Sequence, residues 1–587
     1  MSTGQVGKKL INCVDRCVDE SLEGFVRCHA GVQVLDSHRV VVRSDISEVI
    51  SEGKVTLVSG GGSGHEPAHA GYVGKGMLSA VVAGSVFTSP PPADILAAIR
   101  TVGSRAGTLL IVKNYTGDRL NFGLAAERAQ NEGYKVGMVI VDEDCALASA
   151  DKTAGRRGLC GTVIAHKLAG AMAEQGKPLE EIVTSLKESI RQMGTIGLSL
   201  TPCSVPGSGP SFSLAADEME LGLGIHGEAG VKRMKLTSAK EAVQIMINHM
   251  TNPANQTSLK LKSGDEVACM VNNLGGTSVL EMNILAMESY SYLDTKGVSV
   301  TQLYNGTFMS SLEMAGFSIT ILVLNDFLKQ CLDSPTRAPG WVLPHNPIGA
   351  THKQSPVVQN KGDQSTVEVQ LSKDQQSDLY QAVKGACVIL IASELELNAL
   401  DKQSGDGDCG STLRRGAQAI LEVLGTSGDP PPLMSNAANL FVVLAETVEK
   451  TMGGSSGALY SLFLTAASRS LTSGVSTQSF SSAIAEGIKA IQTYGGARKG
   501  DRTLLDALIP AADKLAALAG GESQSSAEIL SQMAEAAEAG AKTTVGMRAQ
   551  AGRASYVSGD HLTQADPGAS GVAIILRAAS DTLKNRK

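Results

Sequence analysis

Hydrophobic positions change their rhythm partway along this chain. Up to about residue 333, short β-branched runs recur, most of them ending at Gly, Asn or Asp. They are Val55–Ser59, Leu78–Ala83, Thr108–Lys113, Val136–Asp142, Glu266–Asn272 and Ser318–Leu324. Helical periods lie between them, as at Pro92–Val102 and Leu120–Glu132. The alternation predicts α/β layers with largely parallel sheets and ligand loops at the strands' C-terminal ends. Further on the period becomes purely helical. Leu379, Val383, Cys387, Leu390, Ile391 and Leu395 form one apolar stripe, and Phe480, Ile484, Ile488 and Ile491 form another. Ala-rich helix formers fill Leu504–Ala541, so the second domain should be all-α. Between the two patterns, Ser334–Asp374 is rich in Pro, Gly, Asn, Gln, Ser and Thr and has no helical period. The expected division is a first domain over 1–335, a linker over 336–374 and a second domain over 375–587.

Composition narrows the function classes. The chain has 587 residues, of which 43% are hydrophobic, enough for several cores. Its net charge of −7 argues against a nucleic-acid footprint. No run of about 18 apolar residues predicts a membrane span. Met1–Lys9 has no apolar stretch of the secretory type, and ten Cys form no CxxC pair. These features predict a cytoplasmic protein with reduced thiols. Glycine is abundant, with 64 residues, which points to close backbone approaches to ligands.

The strongest chemical signal is the run Asp401-Lys-Gln-Ser-Gly-Asp406-Gly-Asp408-Cys-Gly410-Ser411-Thr412. Three carboxylates crowded among glycines repel one another unless a cation neutralises them, so the run reads as a Mg²⁺ site. The hydroxyls and amides just beyond it, at the start of a helix over Thr412–Leu424, suit phosphate. A calcium-binding EF-hand would need Glu at the twelfth position, where Thr412 stands. A solvated, capped turn is the plain alternative. Two further small-residue loops follow, Met452-Gly-Gly-Ser455-Ser456-Gly457 and Gly495-Gly-Ala-Arg-Lys-Gly500-Asp501-Arg502-Thr503. Each is either a ligand loop or a simple helix–helix turn. Near the C-terminus, Gly552-Arg553-Ala-Ser555-Tyr556 and Asp566-Pro567-Gly568 form an excursion in which Arg553 could meet phosphate charge.

In the first domain, Gly60-Gly-Gly62-Ser63-Gly64-His65-Glu66-Pro67 reads as a glycine-rich turn after a strand. It lacks the Lys-Ser/Thr of a P-loop. His65 there is either an acid–base group or a structural histidine. Lys113-Asn-Tyr-Thr-Gly117-Asp118 ends a strand, and Asp118 is either a base or the N-cap of the helix Leu120–Glu132. Gly222-Leu-Gly224-Ile-His226-Gly227 matches GxGxxG, but the acidic, polar Ser213–Glu220 before it does not read as a strand, which argues against dinucleotide binding. A histidine framed by glycines is sterically open, which suits either a nucleophile or a direct ligand contact.

Taken in order, GGGSGHEPAHAG, KNYTGDRLNFG, GLGIHGEAG, LDKQSGDGDCGST, MGGSSGALY, GDRTLLD and GRASY…DPG make the chain resemble the single-chain ATP-dependent dihydroxyacetone kinases. Within that family it is most similar to the animal members that also cleave FAD. The resemblance implies a substrate-binding α/β K domain of two α/β subdomains and a nucleotide-binding all-α L domain built as an antiparallel eight-helix barrel. It implies that His226 holds the ketone covalently as a hemiaminal, that Asp118 is the base, and that His65 handles the substrate oxygen. Gly62, Ser63, Gly64 and Lys113 would line the substrate pocket. Asp401, Asp406 and Asp408 would hold Mg²⁺. ATP would lie against Gly410, Ser411, Thr412, Leu413, Ser455, Ser456, Gly495, Thr503, Leu504, Asp566, Pro567 and Gly568. Dihydroxyacetone and D-glyceraldehyde would be phosphorylated, and FAD would be split into AMP and cyclic FMN, with Mn²⁺ or Co²⁺ preferred. A homodimer whose K and L domains meet across chains is expected, with no nucleic acid and no membrane as partner. The alternative is a carbonyl-capturing binding protein with a regulatory helical domain.

Overall fold

The computed structural model describes residues 7–147, 155–210, 212–228, 230–342, 370–403, 405–425, 429–472, 474–520, 524–551, 553–556 and 562–586. The chain divides into two compact units, Met1–Ser355 and Pro356–Lys587.

The first unit carries two six-stranded sheets. Strands β1 (Val32–Val34), β2 (Val40–Arg43), β3 (Thr56–Ser63), β4 (Ala80–Val86), β5 (Thr108–Lys113) and β6 (Val136–Val141) pair in the order β1-β2-β4-β3-β5-β6. Strands β7 (Met193–Ser199), β8 (Glu218–Leu221), β9 (Lys232–Lys235), β10 (Glu266–Asn273), β11 (Ser299–Gly306) and β12 (Gly316–Val323) pair in the order β11-β10-β12-β7-β8-β9. The helices of this unit are α1 (Cys17–Cys28), α2 (Ile46–Ser51), α3 (Pro92–Val102), α4 (Thr116–Asn131), α5 (Gly161–Glu174), α6 (Leu179–Arg191), α7 (Ala239–Met250), α8 (Val279–Thr295) and α9 (Asp326–Asp333).

Parallel pairing holds for β4-β3-β5-β6, as the sequence pattern predicts. The second sheet corrects that expectation, because only β10 and β11 run parallel. A parallel neighbour needs a crossover, and helix α8 supplies one between β10 and β11. No helix lies between β8 and β9, so they pair antiparallel.

The layers follow from where apolar faces can be buried. Helices α3 and α4 pack on one face of the first sheet, over Val58, Val82, Ile95, Ile99, Leu110 and Phe122. Helices α7 and α8 cover one face of the second, over Val243, Met246, Leu285 and Ile319. Helix α5 lies in the core that both sheets share. Every residue from Gly161 to Ala173 is buried, and its apolar cluster includes Ile111 of β5, Met270 of β10 and Leu322 of β12. Part of the stretch read as linker also belongs to this core. Ala338 and Trp341 are buried in it, and the Gly340 N–H donates to the Gly71 carbonyl at 2.7 Å. Residues 343–369 of that stretch lie outside the described residues.

The second unit is helical throughout its described residues. It comprises α10 (Lys373–Ala392), α11 (Glu394–Asp401), α12 (Cys409–Leu424), α13 (Ala437–Met452), α14 (Gly454–Ser468), α15 (Thr477–Gly495), α16 (Leu505–Leu518), α17 (Ser526–Thr543) and α18 (Pro567–Lys584). The apolar stripe that begins at Leu379 spans two helices, broken at Ser393. From α12 to α18 each helix packs on the next, and α10 packs on both α12 and α18. Small residues allow close seams: a Cβ on Gly540 of α17 would sit 2.1 Å from the Asp506 carbonyl of α16. Capping boxes at Ser372/Gln375 and Ser525/Glu528 open α10 and α17.

Candidate functional site

In the first unit the candidate residues come from the C-terminal ends of β3 and β5 and from a loop of the second sheet. The glycines read as a turn after a strand are strand themselves: Gly60, Gly61 and Gly62 continue β3 and pair with Val82, Ala83 and Gly84. They are glycine because neighbours approach too closely for a side chain. A Cβ on Gly61 would lie 2.9 Å from Lys113 Nζ, and one on Gly62 would lie 2.6 Å from the Thr88 amide. The Ser63 hydroxyl donates to the Gly84 carbonyl at 2.8 Å.

Lys113 ends β5 fully buried, and its Nζ has no hydrogen-bond partner among the described residues. Burial lowers its pKa against the pull of Asp118, Glu143 and Glu66. Helix α4 starts at Thr116, ahead of the expected Leu120, and its N-cap is Tyr115. Asp118 therefore sits inside the first turn, which removes the N-cap reading. Its side chain is buried and accepts a hydrogen bond from Ser89 Oγ. Burial raises its pKa, opposed by Lys113 and Ser89, which makes it a stronger base than a solvated carboxylate.

The two histidines meet. The rings of His65 and His226 lie 4.9 Å apart, edge to face. Tyr115 closes on His226 at 4.5 Å and Phe87 at 5.4 Å, and Phe87 also stacks on His65 at 5.1 Å. A carbonyl can only accept, so His65 Nδ1, 3.0 Å from the Ser310 carbonyl, carries the proton. That leaves a lone pair on the buried Nε2, which has no partner among the described residues. Burial, then Lys113 and Arg157, push the His226 pKa down to about 3. Its imidazole is neutral at ordinary pH and has a lone pair to donate. A Cβ on Gly64 would press on the Phe87 ring at 2.8 Å.

The GxGxxG run follows a strand after all. Met219 and Leu221 of β8 face inward, while Glu220 is held by Arg233. The run leads into β9 and not into a helix, so it offers no helix N-terminus to a pyrophosphate. Phe87, Ser89 and Tyr115 had no assigned role in the sequence reading. Tyr115 lies inside the quoted KNYTGD run, whereas nothing marked Phe87 or Ser89.

In the second unit, α11 ends at Asp401 and α12 opens at Cys409, three residues before the expected Thr412. Asp401 Oδ2 accepts from the amides of Gly407, Asp408 and Cys409 at 3.0, 3.0 and 3.2 Å, which folds the loop around this carboxylate. Oxygens of Asp401, Asp406 and Asp408 lie within 4.8 Å of one another. Hard, charged oxygen donors at this spacing, two of the three residues being exposed, fit a divalent cation such as Mg²⁺ or Mn²⁺.

The other candidate nucleotide residues collect at helix starts. Gly410, Ser411, Thr412 and Leu413 begin α12. Ser455 and Ser456 lie in the first turn of α14; only Gly453, at φ +66°, separates it from α13, which corrects the longer loop read there. Thr503 and Leu504 precede α16, and Asp566 caps α18 ahead of Pro567 and Gly568. Gly495 ends α15. Arg415 links the first two starts, donating to Thr412 Oγ1 at 3.0 Å and to the Met452 carbonyl at 3.1 Å. A Cβ on Gly568 would lie 3.3 Å from Leu504 Cβ, and Thr563 Oγ1 donates to Gln403 Oε1 in the acidic loop at 3.2 Å. Helix N-termini suit phosphate oxygens, although the Ser411 amide already donates to Asn398 Oδ1 at 3.0 Å and the Thr412 amide to the Asp408 carbonyl at 2.9 Å. Two candidates are otherwise engaged: Leu413 is buried in the core, and the Ser411 hydroxyl donates to Glu394 Oε1 at 2.9 Å. Asp506 shapes the approach to α16 by accepting from the amides of Gly500 and Thr503 at 2.6 and 2.8 Å. Arg502 is buried and donates to the Gln564 carbonyl at 3.0 Å. Both residues lie in motifs quoted from the sequence without a role. The Arg553 side chain lies outside the described residues.

Comparison with known proteins places these features. The Dak1 domain model matches residues 23–340 and the DAK2 domain model matches residues 403–581. The chain is 47% identical over 580 residues to triokinase/FMN cyclase of Homo sapiens, covering 98% of this chain and all of that protein. The chain belongs to the single-chain dihydroxyacetone kinase family. It is equally identical, at 47% over 586 residues, to triokinase/FMN cyclase of Rattus norvegicus, covering 99% of each. The crystal structure of the dihydroxyacetone kinase from C. freundii in complex with AMP-PNP and Mg²⁺ is similar with a TM-score of 0.70 and 34% identity, covering 98% of this chain and all of that one.

Proposed function

We propose that this protein is an ATP-dependent kinase of dihydroxyacetone and D-glyceraldehyde that also cleaves FAD to AMP and riboflavin cyclic 4′,5′-phosphate. The observation that carries the kinase reading is the neutral His226 ring, 4.9 Å from His65 and framed by Tyr115 and Phe87. A desolvated imidazole lone pair adds to a carbonyl carbon, the C=O π pair moves to oxygen, which takes up a proton, and the other ring nitrogen gives up its N–H proton, so that a neutral hemiaminal results. An alcohol has no carbonyl to add to, so glycerol is rejected for its chemistry and not for its size. His65, with its free Nε2, serves the oxygen during addition. Asp118 accepts the proton of the hydroxyl that attacks the γ-phosphorus of ATP, and ADP leaves. Gly62, Ser63, Gly64 and Lys113 line the pocket.

In the second unit Asp401, Asp406 and Asp408 hold the cation, Mg²⁺ for the kinase and Mn²⁺ or Co²⁺ for FAD cleavage. When bound, that cation neutralises charge on the phosphate oxygens. The helix starts at Gly410–Leu413, Ser455–Ser456, Thr503–Leu504 and Asp566–Gly568, together with Gly495, enclose the nucleotide. For FAD the attacking hydroxyl belongs to the ribityl chain of the substrate, and AMP departs. We assign the first unit, with its core extended through Trp341, to a K-type domain, the stretch after it to a linker, and the second unit from Leu371 on to an L-type domain. The L-type domain is read as an antiparallel eight-helix barrel, which the packing of α10 on both α12 and α18 supports. In-line transfer requires acceptor and donor to meet. We assign that meeting to a cytoplasmic homodimer whose K and L domains pair across chains.

The test is product release. ADP release should be fast with dihydroxyacetone and negligible with glycerol, and FAD with Mn²⁺ should yield cyclic FMN. Equal turnover of dihydroxyacetone and glycerol would refute capture at His226.

A further inference from the structure

One arginine outside the assigned site grips the His226 loop at both ends. Arg157 follows β6 in sequence and is anchored first by Asp144, which is fully buried. Arg157 Nε donates to Asp144 Oδ2 at 2.7 Å, while Asp144 Oδ1 accepts from the Ala146 amide at 2.8 Å. The remaining two guanidinium nitrogens reach the loop between β8 and β9. Nη2 donates to the Gly222 carbonyl, four residues before His226, at 2.7 Å. Nη1 donates to Glu228 Oε1, two residues after it, at 3.3 Å. Glu228 passes the restraint on, because its Oε2 accepts the backbone N–H of His226 itself at 2.9 Å.

The glycine between these contacts is part of the device. A Cβ on Gly224 would lie 1.6 Å from Glu228 Oε1 and 2.9 Å from Arg157 Nη1, so the ion pair crosses directly over its backbone. The arginine's own segment is held in turn. The Arg156 carbonyl accepts from Asn114 Nδ2 at 2.5 Å, and Asn114 follows Lys113 at the end of β5. A Cβ on Gly158 would lie 2.9 Å from the Asn114 amide and 3.0 Å from Lys113 Cα. The segment thus bridges the strand that carries Lys113, and with it the turn to Asp118, to the loop that carries His226.

We propose that Arg157, with Glu228, is a positioning residue that sets where the His226 imidazole meets the substrate carbonyl. The proposal rests on the reading of His226 as the capturing group. Three nitrogens of one planar fork serve three acceptors, one on the Asp144 segment and two at opposite ends of the His226 loop. A lysine ammonium cannot reach all of them from one position. Loss of the grip leaves a glycine-framed histidine free to swing. Misplacement of a reacting group by about 1 Å costs on the order of a hundredfold in rate.

Arg157→Lys in the full-length chain tests this, with four readouts: the fraction of chains carrying covalent dihydroxyacetone by intact-mass spectrometry, KM and kcat for dihydroxyacetone, cyclic FMN release, and Tm. We expect adduct fraction and kcat/KM for dihydroxyacetone to fall by about tenfold to a hundredfold. FAD cleavage and Tm should stay near wild type. Glu228→Gln removes the charge pair but keeps an oxygen for the His226 amide, so its loss should be smaller. The double variant should be no worse than Arg157→Lys alone. Unchanged adduct fraction and kcat/KM in Arg157→Lys would overturn the proposal. So would a parallel loss of FAD cleavage, or additive effects in the double variant. Failure of the underlying reading looks different: the wild-type chain would then carry no adduct, and His226→Ala would keep its kinase activity.

Discussion

The two candidate centres solve opposite electrostatic problems. In the first unit, reactive groups are stripped of water: His65 and Lys113 are fully buried, and the His226 imidazole, pushed down to about 3, is neutral. In the second unit, like charges are pressed together near the surface, with Asp406 and Asp408 exposed beside Asp401. The first centre is complete as folded, since a desolvated imidazole needs only its carbonyl. The second is short of positive charge, a deficit that a divalent cation would make up. On the proposed function, the first centre would hold the acceptor by covalent chemistry and the second would handle the donor by charge.

The sharpest way to break this contrast is Asp401→Ala. It removes a cation ligand and the acceptor of three loop amides, so both ADP release and cyclic FMN release should fall by about a thousandfold. Retention of either activity would separate the acidic cluster from that reaction. His226→Ala comes next. Dihydroxyacetone phosphorylation should drop by about a hundredfold or more, while FAD cleavage, read in the same preparation, should change little. Chelation with EDTA should abolish both activities, yet leave the covalent ketone adduct visible by intact-mass spectrometry. An adduct that vanished with the metal would join the two centres.

Acid should divide the units more gently. Four buried histidines of the first unit, His65, His69, His166 and His226, are held below their ordinary pKa of 6.5, His166 and His226 at about 3. Between those values the unfolded chain binds protons that the folded chain refuses. Stability of this unit therefore falls as pH drops below 6.5, by about 1.4 kcal/mol per pH unit for each such histidine. Asp566 in the second unit works the other way. Burial raises it to about 6, so the folded chain binds its proton first, and its contribution weakens as pH rises from about 4 to about 6. Hydrogen exchange at pH 5 and pH 7, resolved by segment, should show the first unit losing protection in acid ahead of the second. The smallest effect belongs to Ser89→Ala. Without its hydroxyl donor the Asp118 carboxylate is less stabilised, its pKa rises further, and the acid limb of kinase activity should move to higher pH.

Much of this was legible in the sequence. The strands whose runs are apolar throughout, such as Thr108–Lys113, stand where expected, because a strand buried on both faces must be written in apolar residues. Val40–Arg43 was missed although its run is apolar and buried, while several other missed strands lack that signature. Met193–Ser199 carries two glycines, Lys232–Lys235 is charged because it lies at a sheet edge, and Ser299–Gly306 alternates with polar residues. Spacing alone brought out the acidic cluster, since all its members lie within one loop. The frame around His226 was not readable that way. Phe87, Tyr115, Arg157 and Glu228 come from separate segments, and only folding brings them to one imidazole. The glycines misled in a particular manner. At Gly60–Gly62 and Gly454 they serve strand and helix and not loops, because what they admit is a neighbouring backbone or a helix start.

Helix α5 has a consequence for how this protein can be taken apart. With every residue from Gly161 to Ala173 buried in a core that both sheets supply, it belongs to neither sheet alone. A fragment ending before it would bare the inner face of the first sheet, and one beginning after it would do the same to the second. The smallest piece that can fold is thus the whole first unit, and anyone seeking a minimal module from it should trim the ends and leave the middle uncut.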